Sequence, residues 1–233
     1  PFASVLPPAR PRAPDGPEIA PAMLFQTVVA NTGELEMVGA ITFTDKGDEI
    51  NCAKMGSGGY AIPSIVEPEV IKLDKSKCKA KFILHVEKGT VWQRFNEDRF
   101  WEKHNCILTE GSGQPTRGVR RLLRRLNQEL GLPIYCLLDC DPWGHYIFSV
   151  IKQGSISLAF ESNRLAIPDA KFIGVRSKDY EACGFTDDVQ IAMNDNDIKR
   201  ANQQNREVWI QPDSVVPYNE IIRAMDVVYE IYG

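Results

Sequence analysis

The chain has 233 residues, 43% of them hydrophobic and 25% charged, with a formal net charge of −4. That length supports one large α/β domain or two small ones around a sizeable core, and the composition is that of an ordinary globular protein. No stretch approaches the roughly 20 apolar residues that cross a bilayer and no signal-peptide pattern opens the chain, so a cytoplasmic location without a membrane partner is expected; the negative charge argues against a protein that coats nucleic acid by bulk electrostatics and leaves room for a local basic surface.

In chain order, residues 1–22 are rich in Pro and Ala without periodicity, as in a flexible or polyproline-like leader. Residues 23–78 read as a β-rich lead-in: "MLFQTVVAN" and "MVGAITFTDKGDEINCAKMG" suit strands, "DKGD" a turn, and "GSGGYAIPS" a loop. From residue 79 strands and helices alternate. "AKFILHVE" is a buried strand, and "GTVWQRFNEDRFWEKH" an amphipathic helix with Val91, Phe95 and Trp101 among its apolar positions. "NCILTEG" is a second strand, followed by the helix "TRGVRRLLRRLNQELG". There Val119, Leu122, Leu123, Leu126 and Leu130 share one face and Gly131 is placed as a C-cap. "PIYCLLD" is a third strand, "PWGHYIFSVIKQG" a helix opening on Pro, and "AKFIGV" (170–175) a fourth strand. Such alternation implies βαβ units and a mostly parallel, Rossmann-like α/β sheet flanked by helices, with ligands at the carboxyl ends of its strands.

Those ends carry acids. The first strand ends at Glu87, the second at Glu110 with the loop "TEGSGQP", and the third at Asp139 and Asp141. Side chains two residues apart on a strand point the same way, so Asp139 and Asp141 are expected to converge on one point, joined by Glu87 if the first and third strands are neighbours. A hard divalent cation relieves the mutual repulsion of three carboxylates, and Mg²⁺ with a phosphate ester is the expected pairing. The plainer reading of Asp-x-Asp after a strand is a helix cap beside a solvated acid. Arg117, Arg120, Arg121, Arg124 and Arg125, five arginines within nine residues, are candidates for phosphate contact, the plainer reading being a solvated helix face. The six cysteines are scattered without a C-x-x-C pair and read as reduced thiols in or near the core. His104 and His145 read as surface or packing residues, and Trp143 and Tyr146 as core.

The segments "FILHVEKGTVWQRF", "CILTEGSGQPTRGVRRLLRRL", "GLPIYCLLDCDPWGHYIFSVIKQGSISLAFES" and "AKFIGV", led in by "GDEINCAKMGSGGYAIPS", resemble the Toprim domain of the topoisomerase VI A subunit. That family is shared with the meiotic DNA double-strand-break transesterase, and the resemblance spans roughly residues 38–200. It implies an acidic triad, Glu87, Asp139 and Asp141, holding Mg²⁺ beside a DNA phosphate, with Lys88 as the basic residue after the first acid and a catalytic partner of Glu87. It also implies double-stranded DNA as substrate, a homodimer of A subunits, and a B subunit supplying ATP-driven gating.

In that family a tyrosine on a preceding winged-helix domain attacks the phosphate. Only about 40 residues precede the matching region here and the first tyrosine, Tyr60, lies inside it. The chain is therefore expected to bind metal and DNA without forming a covalent adduct alone, as a fragment or a rearranged gene product. Residues 79–202 are assigned to the Toprim domain; 203–233, ending "REVWIQPDSVVPYNEIIRAMDVVYEIYG", form a strand-turn-helix tail that resembles ExbD/TolR. Two alternatives stand beside this reading: a non-catalytic dimerising scaffold, and a phosphatase of the haloacid-dehalogenase type, which also uses Asp-x-Asp after a strand.

Overall fold

The computed structural model describes residues 35–175, 179 and 192–204, all within one compact unit, Glu34–Gly233. The leader, the strand expected at 23–31, Cys183 and all but the first two residues of the 203–233 tail lie outside the described residues. The strands are β1 (Glu36–Gly39), β2 (Ile41–Asp45), β3 (Asp48–Asn51), β4 (Tyr60–Ala61), β5 (Ile71–Cys78), β6 (Phe82–Val86), β7 (Cys106–Glu110), β8 (Ile134–Leu137) and β9 (Lys171–Ile173). The α-helices are α1 (Gly89–Glu97), α2 (Phe100–His104), α3 (Arg117–Leu130), α4 (Pro142–Gln153), α5 (Ser162–Leu165) and α6 (Asp195–Gln204). Helix α6 runs across the boundary drawn at residue 202.

A six-stranded sheet has the order β4-β1-β7-β6-β8-β9, and a three-stranded sheet the order β3-β2-β5. Strands β7, β6, β8 and β9 are parallel, while β1 joins β7 antiparallel and β4 follows it. The lead-in segment thus splits: two of its strands extend the large sheet and three form the small one. In the small sheet, β2 and β3 close through Lys46 and Gly47, whose φ values of 50° and 102° are those of the two-residue hairpin turn expected at "DKGD".

Connectivity decides the layers. The chain goes from β6 out to β7, then back past β6 to β8 and on to β9. Right-handed crossovers running in opposite directions must put their helices on opposite faces. Accordingly Leu84, Val86, Cys106 and Leu108 pack under Trp92, Phe95, Phe100 and Trp101 of α1 and α2. Ile83, Ile107, Ile134 and Cys136 pack under α3 and α4, through residues such as Leu122, Leu126, Ile147 and Ile151.

Helix α3 ends as its sequence demands, with Gly131 at φ 75°. The stretch between β6 and β7 differs from expectation. It is two helices rather than one, broken at Arg99 (φ 51°) and ended at Asn105 (φ 51°), which turns the chain back into β7. The buried anchor is Trp92, and Val91 is 39% exposed. Cys52, Cys106 and Cys136 are buried, Cys78 and Cys140 partly so, and all five are free thiols. Among the described residues no helix is long and apolar enough to cross a membrane.

Candidate functional site

Between β6 and β8 the strand order reverses, and in open parallel sheets the crevice beyond such a reversal is where ligands bind. Glu87 follows β6 and Asp139 follows β8, so the two acids are neighbours by topology. Glu87 keeps the strand's pairing one residue past β6, its N–H donating to the Leu137 carbonyl at 3.0 Å. Its side chain turns toward the other strand end, where Oε2 accepts from the Asp139 N–H at 3.0 Å. The residue is 7% exposed. Burial raises its carboxyl above the ordinary glutamate value, opposed by the Asp139 N–H and by Lys88, and reinforced by the charges of Asp139 and Asp141.

Beyond β8 the reading by strand alternation fails, because the strand ends at Leu137 and, after one last bond from the Leu138 N–H to the Ile173 carbonyl at 3.2 Å, residues 139–141 leave the sheet. Asp141 is instead the N-cap of α4, its Oδ1 accepting from the Gly144 N–H at 2.7 Å. Asp139 Oδ2 pairs with Lys88 Nζ at 3.0 Å, and that ion pair raises the lysine's pKa. Glu87, Lys88, Asp139 and Asp141 line one cavity of about 620 Å³. The acids share a pocket without meeting at one point: among the described residues, no three His, Cys, Asp or Glu side chains are gathered closely enough to hold a metal ion as they stand. The cause is local, since the Asp139 N–H, Lys88 and the α4 N-terminus each engage one carboxylate oxygen.

The donors nevertheless suit a hard divalent cation. All three are carboxylates, each has a second oxygen outside those contacts, and the buried Glu87 charge is one that a cation would relieve. Asp197 of α6 also lines the cavity and accepts from Trp143 Nε1 at 3.1 Å. No signal in the sequence tied it to residues 56 positions earlier. Trp143 is 39% exposed rather than core, stacked under Arg200. His85, two residues before Glu87, is fully buried, with Nδ1 2.9 Å from Thr109 Oγ1. Burial lowers its pKa to about 4. Its place in "HVE" gave a signal that could have been read. Glu110, the acid ending β7, accepts from Ser112 at 2.7 Å and lies over Gly89, at the start of α1.

The arginines of α3 do not form one solvent-facing row, and two of the five candidates for phosphate contact are corrected. Arg120 and Arg125 are only 3% and 2% exposed. Arg120 donates to the Val150 carbonyl at 3.1 Å. Arg125 donates to the carbonyls of Val66 and Ile71 at 2.6 and 2.8 Å and pairs with Glu129. Neither reaches a phosphate while those contacts stand. Arg117 is held by both oxygens of Glu161 and Arg121 by Glu67. Arg124, half-buried, lies against the Gln128 side chain.

Comparison with known proteins meets this geometry. Residues 82–230 match the family model of the Toprim domain shared by the topoisomerase 6 A-subunit and Spo11. The chain belongs to this family. Residues 36–76 match the all-β domain of the DNA topoisomerase VI alpha chain. The Toprim match includes most of the 203–233 segment, which by its sequence pattern alone resembles an ExbD/TolR tail. The A-subunit of type 2 DNA topoisomerase 6 from Hyperthermus butylicus is 42% identical over 185 residues, covering 76% of this chain and 47% of that protein. Its counterpart from Saccharolobus shibatae is also 42% identical over 185 residues, covering 76% and 46%. The DNA topoisomerase 6 A-subunit of Arabidopsis thaliana is 37% identical over 175 residues, covering 75% and 40%. The chain thus spans less than half the length of these curated relatives.

Proposed function

We propose that the chain is the Mg²⁺-binding, DNA-phosphate-binding module of the A-subunit of a type IIB topoisomerase. The observation that carries this reading is the convergence of Glu87 and the Asp139–Asp141 loop at the sheet's reversal point, with Glu87 Oε2 on the Asp139 N–H. Glu87, Asp139 and Asp141 would hold the ion, which when bound supplies a Lewis acid for a phosphodiester oxygen. Lys88 balances Asp139 when the acids are alone and offers its ammonium to a phosphate when Asp139 is otherwise engaged. The α4 N-terminus, capped by Asp141, orients that acid toward the cavity rim.

The described residues lining the cavity include no tyrosine, serine or threonine, and Cys140 is the one cysteine among them. Transesterification therefore draws its attacking tyrosine from elsewhere, in keeping with a dimer of A subunits on double-stranded DNA and a B subunit that couples ATP. Alone with supercoiled DNA, Mg²⁺ and ATP, the chain forms no covalent adduct.

Thermal melting tests the metal site. An ion at a hundred times its Kd stabilises by about 2.7 kcal/mol, a rise in Tm of roughly 5–10 °C for a chain of this size. The rise is expected for the native chain with Mg²⁺ and is absent in Glu87→Gln and Asp139→Asn. An equal rise in these variants would refute the assignment, and no rise in any form would favour the non-catalytic scaffold.

A further inference from the structure

We propose that the lysine-rich edge strand β5 and its continuation into β6 form a contact surface for the phosphate backbone of duplex DNA, separate from the acid cavity. This rests on the reading of the chain as a DNA-processing module. Residues 71–81, "IKLDKSKCKAK", hold five of the chain's 13 lysines and one acid. Lys72, Lys75, Lys77, Lys79 and Lys81 are all exposed. Asp74, itself exposed on β5, accepts from the Ser76 N–H and hydroxyl at 2.9 and 2.7 Å. Among the described residues Lys77 pairs with Glu49, while the other four lysines enter no salt bridge. The arginines of α3, by contrast, are mostly held within the fold, so among the described residues this strip is where cations are concentrated toward solvent.

Its shape is fixed by the backbone. Strand β5 is one of the two edges of the small sheet, with only its first carbonyl, that of Ile71, taken by Arg125 among the described contacts. Ile41 pairs with Cys78 and Phe43 with Leu73, so residues 74–77 bulge out of the ladder and carry Lys75 and Lys77 with them. Past the strand, the Lys79 N–H donates to the Ala40 carbonyl and the Lys81 N–H to that of Asn105, at 2.9 and 2.7 Å. A bulge and a lysine or two would protect an edge from pairing with another chain. Lys79 and Lys81 lie beyond the end of β5, where no edge remains to protect.

Lys81 and Glu87 flank β6 at opposite ends, six residues apart. At about 3.3 Å per residue that is roughly 20 Å, twice the screening length of about 10 Å at 0.1 M salt. The acids of the cavity therefore do not cancel the strip's field, and nearer to it Glu49 offsets Lys77 and Asp74 is the one acid within it. A strip of exposed lysines suits phosphates, and binding there is sequence-tolerant and salt-sensitive.

The test is fluorescence anisotropy of a short labelled duplex across a salt series, comparing the native chain with Lys72→Gln/Lys75→Gln/Lys79→Gln/Lys81→Gln. These are exposed positions, and circular dichroism melting checks that the fold is kept. Each phosphate contact contributes about 0.9 to the slope of log K against log salt. The variant is expected to lose about 2–4 units of slope and at least tenfold in affinity at low salt. Equal slope and affinity in the two proteins would overturn the strip while leaving DNA binding intact. Aggregation of the variant with unchanged DNA affinity would assign the lysines to edge protection and also overturn it. A native chain that binds heparin or an acidic peptide but no duplex would overturn both this inference and the reading beneath it.

Discussion

Arg125→Ala should destabilise the fold sharply while leaving DNA affinity unchanged per folded molecule. The guanidinium is buried between α3 and the start of β5, with Nη1 shared by the carbonyls of Val66 and Ile71 and the other nitrogens on Glu129. Truncation removes two hydrogen bonds from a charged donor, each contributing about 1.5–3 kcal/mol, and strands two carbonyls in the core. The Glu129 pair adds little, because that carboxylate is 40% exposed. The loss is then about 4 kcal/mol, or roughly 8–16 °C in Tm. Arg124→Ala, one position earlier, removes only the contact with Gln128 and should stay within about 0.5 kcal/mol. Urea denaturation followed by circular dichroism measures both. A loss under about 1 kcal/mol for Arg125→Ala, or parity with Arg124→Ala, would refute Arg125 as a strut and return it to the pool of phosphate contacts.

Three further outcomes follow from the site. A Cβ at position 144 would drive into the Asp139 carbonyl, so Gly144→Ala should cost about 1–3 kcal/mol and abolish the Mg²⁺-dependent rise in Tm; an unchanged melt would show that the 139–141 loop yields freely. Asp141→Asn keeps the cap of α4 and removes the charge, whereas Asp141→Ala also loses about 1 kcal/mol of capping; both should lose Mg²⁺ binding, and retention by Asp141→Asn would exclude Asp141 as a ligand. Burial raises the Glu87 carboxyl, so the native state retains a proton there above the unfolded value of about 4.3. Stability without metal should therefore fall as pH rises from that value through the raised pKa, and Glu87→Gln should flatten the fall in urea midpoint; identical pH profiles would contradict the burial argument.

The alternation of strands and helices from residue 79 was legible because each element declares itself by period and cap: the leucine stripe and Gly131 of α3, and the Pro opening α4. Glu87 was legible too, since it ends a buried strand next to β8. What the sequence hid came from contacts distant along the chain. Arg125 looks like any charged residue on an amphipathic helix until Val66 and Ile71, 59 and 54 residues away, present carbonyls to it. The split of the lead-in between two sheets depends on β1 meeting β7, about 70 residues later. Alternation could not place Asp141 because strand geometry stops at Leu137, and the capping requirement of α4 then decides where that side chain points.

A crystal of the chain grown with Mn²⁺ in place of Mg²⁺, read by the anomalous scattering of manganese, would test the central claim most directly. The account predicts one anomalous peak in the cavity, at about 2.1 Å from oxygens of Glu87, Asp139 and Asp141, with Asp139 turned away from Lys88. An intact Lys88–Asp139 ion pair with no peak between the three acids would contradict it.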